Sequence, residues 1–312
     1  MHSDSKTRAG WDELPADLHR TVEEVLGGPV IEAVTQSNGF SPGSADRVRT
    51  ASGARAFVKA VDRLRHSGTY DLHRRELAVM ERMPPGVRAP RLLGSYVTDE
   101  WVGLVLEDVE GAHPGAAADG RDVDAVLDAL ASLPRLTVAD AATLPDAADE
   151  FAGDADGWRR LGADGALGEL PGWARRSHDR LVAAAERVGA ATAGEHLQHL
   201  DCRADNVLLD RHGVAWIIDW PWAGVGARWT DGACYLFDVR MRGEDVDVDE
   251  VLRRHPLFDG VADADIDALI AALTGGYLFK SHLPAPAGMP TLREFQRQEA
   301  LTGLAWLEER WS

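Results

Sequence analysis

Cysteine and lysine are scarce in this chain, and it lacks any long apolar run. The two cysteines, Cys202 and Cys234, cannot build a disulfide framework. Neither has a second cysteine or a histidine at zinc-finger spacing. No stretch reaches the ~18 consecutive apolar residues that a membrane span needs. The segment from Met1 to Gly10 is polar and has no apolar middle of the kind a signal peptide carries. These absences predict a cytoplasmic protein with a reduced interior and no membrane partner. Positive charge is short as well: 33 Lys and Arg face 51 Asp and Glu, a net charge of −18. Nucleic-acid backbones select basic surfaces, so no nucleic-acid partner is expected.

What is present can bury a core. With 312 residues, 45% of them apolar, one or two domains sharing a cleft are expected. The charge is uneven. From Ser41 to Arg91 eleven basic residues face five acids, whereas Arg121 to Gly157 and Glu244 to Asp267 each hold nine acids and two basic residues. One part is therefore suited to anions and another to cations, although surface acid also serves plain solubility.

No fixed-period repeat occurs. Leu18, Val22, Val25 and Leu26 form one helical face within Pro15 to Leu26. Strand-like runs follow at Val30 to Thr35, Ala45 to Thr50 and Arg55 to Val61, separated by the turn signals Asn38-Gly39 and Ser52-Gly53. A helix is predicted over Leu72 to Met83, and strands over Arg91 to Tyr96 and Val102 to Glu107. Beyond a Gly- and Pro-marked crossing the spacing becomes helical, at Val123 to Leu133, Trp173 to Val188, Val248 to His255, Asp263 to Leu278 and Thr291 to Trp311. The last run opens on a capping-box pattern, Thr291-Leu292-Arg293-Glu294. Two short strands, Val207 to Leu209 and Ala215 to Ile218, interrupt the helices. The expected fold is α+β: a small antiparallel sheet with a helix over residues 1–107, a crossing at 108–114, and a helical part over 115–312.

The chemistry concentrates in His199-Leu200-Asp201-Cys202-Arg203-Ala204-Asp205-Asn206, followed by the two strands and Asp219. Phosphoryl transfer needs a carboxylate to take the proton of the attacking hydroxyl, and oxygen ligands for the cation bridging the phosphates. Asp201, Asn206 and Asp219 supply such groups, and a hairpin would return Asp219 to the loop. Loop acids alone mean little; three at the required spacings mean more. Lys59 is one of three lysines in the chain and sits in an apolar strand, Ala56 to Val61, where its charge needs a partner. Ser37 to Ser44 is a run of small and polar residues between the first two strands, suited to bringing backbone amides near an anion.

These motifs resemble the aminoglycoside phosphotransferase family, relatives of the protein kinases whose catalytic loop reads H-x-D-x-x-x-x-N with a later metal-binding Asp. The resemblance implies a protein-kinase-like two-lobed fold. It implies Asp201 as catalytic base, Asn206 and Asp219 as Mg2+ ligands and His199 as loop support. It makes Lys59 the contact to the phosphates of ATP or GTP, with Glu76 as its ion-pair partner and Glu81 as the fallback. Asn38, Gly39, Phe40 and Ser41 would cover the phosphates, and Glu107 and Val109 would lie where backbone groups meet the purine. Two departures bear on the acceptor: Leu200 fills a position often small or polar in the family, and Trp220-Pro221 follows Asp219 in place of Phe-Gly.

Arg203 is a candidate to steady the transferred phosphoryl group, because a guanidinium matches phosphate geometry; a structural ion pair is the plainer reading. Trp216, Trp220, Trp222 and Trp229 form either a wall for a ring-bearing acceptor or ordinary packing. The expectation is a small-molecule O-phosphotransferase, monomer or homodimer, whose acceptor is cationic, such as an antibiotic. The contrasting reading is a non-catalytic nucleotide-binding scaffold of the same fold.

Overall fold

The computed structural model describes residues 9–36, 43–115, 120–286 and 289–312. Helix α1 (Ala16–Leu26) buries Leu18 and Val22, two of the four residues on the face read from the sequence, and stops at Gly27, whose φ of 73° lets the chain turn sharply. Then come β1 (Val30–Thr35), β2 (Ser44–Thr50), β3 (Arg55–Asp62), α2 (Ser67–Met80), β4 (Leu92–Val97) and β5 (Trp101–Leu106). The strands form one antiparallel sheet in the order β1-β2-β3-β5-β4. Successive side chains of a strand point to opposite faces. Val48, Ala56, Val58, Ala60 and Val105 accordingly meet Leu14, Leu18 and Val22 in one apolar cluster. The alternate residues, Lys59 among them, take the other face.

The helices that follow are α3 (Arg121–Ala131), α4 (Val138–Ala141), α5 (Ala147–Ala155), α6 (Gly157–Ala163), α7 (Gly172–Arg176), α8 (His178–Ala185) and α9 (Val188–Thr192). Four short strands come next: β6 (His196–Gln198), β7 (Val207–Leu209), β8 (Ala215–Ile217) and β9 (Gly224–Gly226). The chain ends with α10 (Thr230–Met241), α11 (Val248–Arg254), α12 (Asp263–Ser281) and α13 (Leu292–Trp311).

The chain divides into two compact units, Met1–Pro114 with Asp205–Trp222, and Gly115–Ala204 with Ala223–Ser312. In the first, β7 and β8 form a hairpin whose Leu209 exchanges backbone hydrogen bonds with Ala112, at 3.0 and 2.8 Å. A Cβ at Gly111 would lie 2.6 Å from the Leu209 carbonyl oxygen, so glycine is required for this approach. The Ile217 N–H donates to the Arg88 carbonyl at 2.8 Å, fixing the hairpin to the sheet segment.

In the second unit α12 is buried nearly all round and packs against α5, α6, α8, α9 and α13. The Trp158 indole N–H donates to the Ala271 carbonyl at 2.8 Å, which satisfies a polar group deep in this core.

Several elements differ from the sequence reading. The single helix expected over Trp173 to Val188 breaks at Ser177 into α7 and α8, and Val188 opens α9. The Thr291 side chain does not cap α13, because Thr291 already has helical dihedrals, φ −90° and ψ −8°. The sequence marks only the start of a helix, near Asp231; the helix that forms there, α10, is buried around most of its circumference, so its extent shows no one-sided apolar period.

Candidate active site

Lys59 leaves β3 on the face opposite the α1 cluster and meets α2. That helix turns Tyr70, His73, Glu76, Leu77 and Met80 inward, and the spacing carries one carboxylate into the interior with them. The Lys59 Nζ donates to both Glu76 oxygens at 2.9 Å and to Asp219 Oδ1. The Trp220 N–H adds a longer contact to Glu76 Oε1 at 3.4 Å. Burial alone would lower the Lys59 pKa, but Asp219 and Glu76 outweigh it and hold the ammonium charged. Burial pushes the Glu76 carboxyl up while Lys59 draws it back; with its two bonds to the ammonium, Glu76 is the anionic half of the pair. The Glu76 side chain is 2% exposed and that of Asp219 is 44% exposed, so one carboxylate anchors the lysine and the other faces outward.

Asp219 follows β8 with φ 67°, a left-handed conformation that is uncommon outside glycine. Asn206 precedes β7, and its carbonyl accepts the Ile218 N–H at 2.9 Å. The hairpin thus brings an amide and a carboxylate side chain to its open end. Its turn is closed by Asp210 Oδ1, which accepts from the His212 and Val214 N–H groups at 2.8 and 3.0 Å. Among the described residues no group of three His, Cys, Asp or Glu is arranged to hold a metal. Two oxygen donors, one of them outward-facing, fit a hard cation such as Mg2+, which keeps several waters and takes phosphate oxygens as further ligands.

Asp201 and Arg203 belong to the second unit, on a loop leaving β6, which pairs with β9. Two buried acids of α10 hold the loop by its backbone. Asp231 accepts the His199 N–H at 2.5 Å and the Leu200 N–H at 2.9 Å, and Asp238 accepts the Ala204 N–H at 2.9 Å. His199, fully buried, accepts the Asp201 N–H at its Nδ1 at 3.3 Å. Leu200 has φ 61°, a costly conformation for a bulky side chain, which gives its departure from the family pattern a backbone meaning. Arg203 Nε lies 3.9 Å from Asp201 Oδ1, and the guanidinium is 5.8 Å from the Phe295 ring centre. Glu299 on α13 is 7% exposed. Burial pushes its carboxyl up to about 8, against the pull of Arg203 and helped by Asp201 and Asp238.

Of the remaining candidates, Glu107 Oε2 accepts from Arg91 Nε at 3.0 Å, and the Val109 carbonyl accepts from Arg47 Nη2 at 3.1 Å. Asn38, Gly39, Phe40 and Ser41 lie outside the described residues. Glu81 is an exposed residue at the end of α2, and Glu76 makes the contact to Lys59. Trp220 and Trp229 are buried packing, and Arg75 stacks 4.8 Å above the half-exposed Trp222. Burial raises both cysteine thiols well above their ordinary value. Sequence reasoning missed Asp231 and Asp238 as loop anchors. The available signal was two acids seven residues apart in a helix otherwise rich in apolar residues.

No curated protein matches the sequence. Solved structures share its fold at low identity. An aminoglycoside phosphotransferase from Alicyclobacillus acidocaldarius is 15% identical over 99% of both chains, with a TM-score of 0.57. Choline kinase LicA from Streptococcus pneumoniae is 13% identical, covering 93% of this chain and 98% of its own, with the same TM-score of 0.57. The AMP-bound spectinomycin phosphotransferase is 12% identical over 94% and 93%, with a TM-score of 0.54. The fold is therefore kinase-like, as the sequence motifs imply. The model of the phosphotransferase enzyme family matches residues 40–267, a span that runs through Lys59, Glu76, Asp201, Asn206 and Asp219. With most of its length and all of these motif residues inside that match, the chain belongs to the phosphotransferase enzyme family.

Proposed function

We propose that this chain moves the terminal phosphoryl group of ATP or GTP to a hydroxyl of a small molecule. The observation that carries this reading is the cluster of Lys59, Glu76 and Asp219, in which a charged ammonium is gripped by one buried carboxylate and shared with an outward-facing one. Lys59 binds phosphate oxygens, and Glu76 holds it in place. Asp219 and Asn206 would hold Mg2+, which would supply positive charge to offset that of the phosphates. The Asp201 carboxylate accepts the proton of the acceptor hydroxyl. The hydroxyl oxygen forms a bond to the terminal phosphorus as the bridging P–O bond breaks, and the nucleoside diphosphate leaves. Arg203 steadies the transferred group. Residues 1–107 serve the nucleotide, 108–114 form the crossing, and 115–312 carry the acceptor site.

The acidic segments of the helical unit favour a cationic acceptor, and an antibiotic is the class that suits it, giving resistance in a cytoplasmic monomer or homodimer. The test is transfer of labelled phosphate from ATP and GTP to a panel of cationic, neutral and anionic alcohols. Asp201→Ala should keep nucleotide binding and lose turnover by about 10²- to 10⁴-fold. Absence of turnover in both proteins across the panel would favour the scaffold reading, and transfer confined to anionic or neutral alcohols would remove the cationic acceptor.

A further inference from the structure

Against β1 and β2 the sheet borders an open cleft of about 450 Å3, lined by Glu32, Val34, Arg47, Arg49, Arg55 and Asp108, among others. Its face is set by register. Ala45 pairs with Lys59 and Arg47 with Phe57, so Arg47 lies on the Lys59 side of the sheet, about 7 Å along the strand. From there its side chain reaches the segment that follows β5. Nη2 donates to the Val109 carbonyl at 3.1 Å, and Nε stands 3.3 Å from Asp108 Oδ1.

That Nε and Oδ1 are both buried and lack hydrogen-bond geometry. Asp108 is held from its other side by Arg55 Nε and Nη2 at 2.9 and 2.6 Å. Withdrawing Arg47 would weaken the compensation of a buried carboxylate, so the guanidinium is fixed where it is. Immediately beside it, the Glu107 carbonyl and the Val109 N–H have no hydrogen-bond partner among the described residues. The segment therefore presents one open acceptor, one open donor, and a second acceptor covered by a cation.

Adenine carries on one edge an N6 amino donor next to the N1 acceptor, which matches the open pair. Guanine carries on the same edge the O6 acceptor next to two donors, N1–H and the N2 amino group, and so needs a donor beside further acceptors. The acceptor it would use next to the Val109 N–H is the Val109 carbonyl, where Arg47 already donates and repels further N–H groups. We propose that Arg47 makes this chain select adenine over guanine nucleotides, by occupying the Val109 carbonyl. The inference rests on the phosphotransferase reading and deepens it by choosing the donor.

The test is calorimetric titration of the full chain with ADP and with GDP in Mg2+, without acceptor. The wild type should bind ADP at least tenfold tighter than GDP, roughly the worth of one unpaired polar group. Arg47→Met should shrink that ratio about tenfold by gaining GDP affinity, and Arg47→Lys, which keeps a cationic donor, should restore it. Base analogues ask the same of the unaltered chain. Inosine diphosphate keeps N1–H and should bind like GDP, whereas the diphosphate of unsubstituted purine riboside keeps the N1 acceptor and should bind nearer ADP. Equal binding of ADP and GDP, inosine diphosphate binding like ADP, or a ratio unchanged in a folded Arg47→Met would each overturn the role of Arg47 and leave the donor reading standing. Failure of every nucleotide to bind the wild type would sink both.

Discussion

Two buried carboxylates of the sheet unit and two of the helical unit are held in different ways. In the sheet unit Glu76 and Asp108 are buried against cations, Lys59 for one and Arg47 with Arg55 for the other. In the helical unit Asp231 spends its oxygens on backbone N–H groups of the loop that bears Asp201, and one Asp238 oxygen, Oδ2, accepts from both that loop and Arg242. The first arrangement stores charge that can be handed to a ligand; the second fixes a backbone path. Losing a partner should therefore cost charge balance in one unit and loop geometry in the other.

The strongest way to break this contrast is Lys59→Met, which leaves Glu76 as an unpaired buried anion. Phosphoryl transfer should fall by at least 10²-fold, and stability by about 3 kcal/mol in urea denaturation. Adding Glu76→Leu should recover much of the stability and none of the activity, as expected when the charges matter to a ligand more than to the fold. Asp231→Asn comes next. An amide keeps one acceptor oxygen and presents an N–H₂ group to the other backbone N–H, so a loss of about 1–3 kcal/mol is expected. Amide hydrogen exchange should speed up at His199 and Leu200, while Lys59→Met should leave those amides unchanged.

A separate effect depends on pH. The folded Glu299 carboxyl titrates at about 8, above its ordinary range, so its protonated form is favoured in the fold. That contribution is complete at pH values below the ordinary carboxylate range and is lost as pH climbs through the folded value. Melting temperatures of the wild type should therefore fall relative to Glu299→Gln between pH 5 and pH 9, and the two should converge at pH 4.

Much of this contrast was legible in the sequence, but unequally. The spacing from His199 to Asp219 and the rarity of lysine exposed Asp201, Asn206, Asp219 and Lys59, because a motif states side-chain chemistry directly. Lys59 also had to find a carboxylate, and of the two acids considered on the following helix Glu76 is the one facing inward. The anchors were not legible. Asp231 reads as an acid at the start of a helix, which is a common place for one, and its bonds to residues some thirty positions earlier exist only once the chain has folded. Arg47 reads as the solvent face of a strand. Strands β6 and β9, three residues each, are too short to show alternation. Helix α10 hid its period by being buried on most sides, and the expected cap at Thr291 yielded to a helical backbone already in place.

Leu200 carries a consequence for how such a sequence can drift. Its φ of 61° penalises valine and isoleucine more than glycine or asparagine, whatever room the side chain has. Its side chain also covers Gly224, where an added Cβ would lie 2.5 Å from Leu200 Cδ1 and 2.8 Å from the Pro145 carbonyl oxygen. Positions 200 and 224 are therefore tied: a lineage that shrinks the first removes one of the two obstacles at the second, and one that enlarges the second first must pass through a damaged loop.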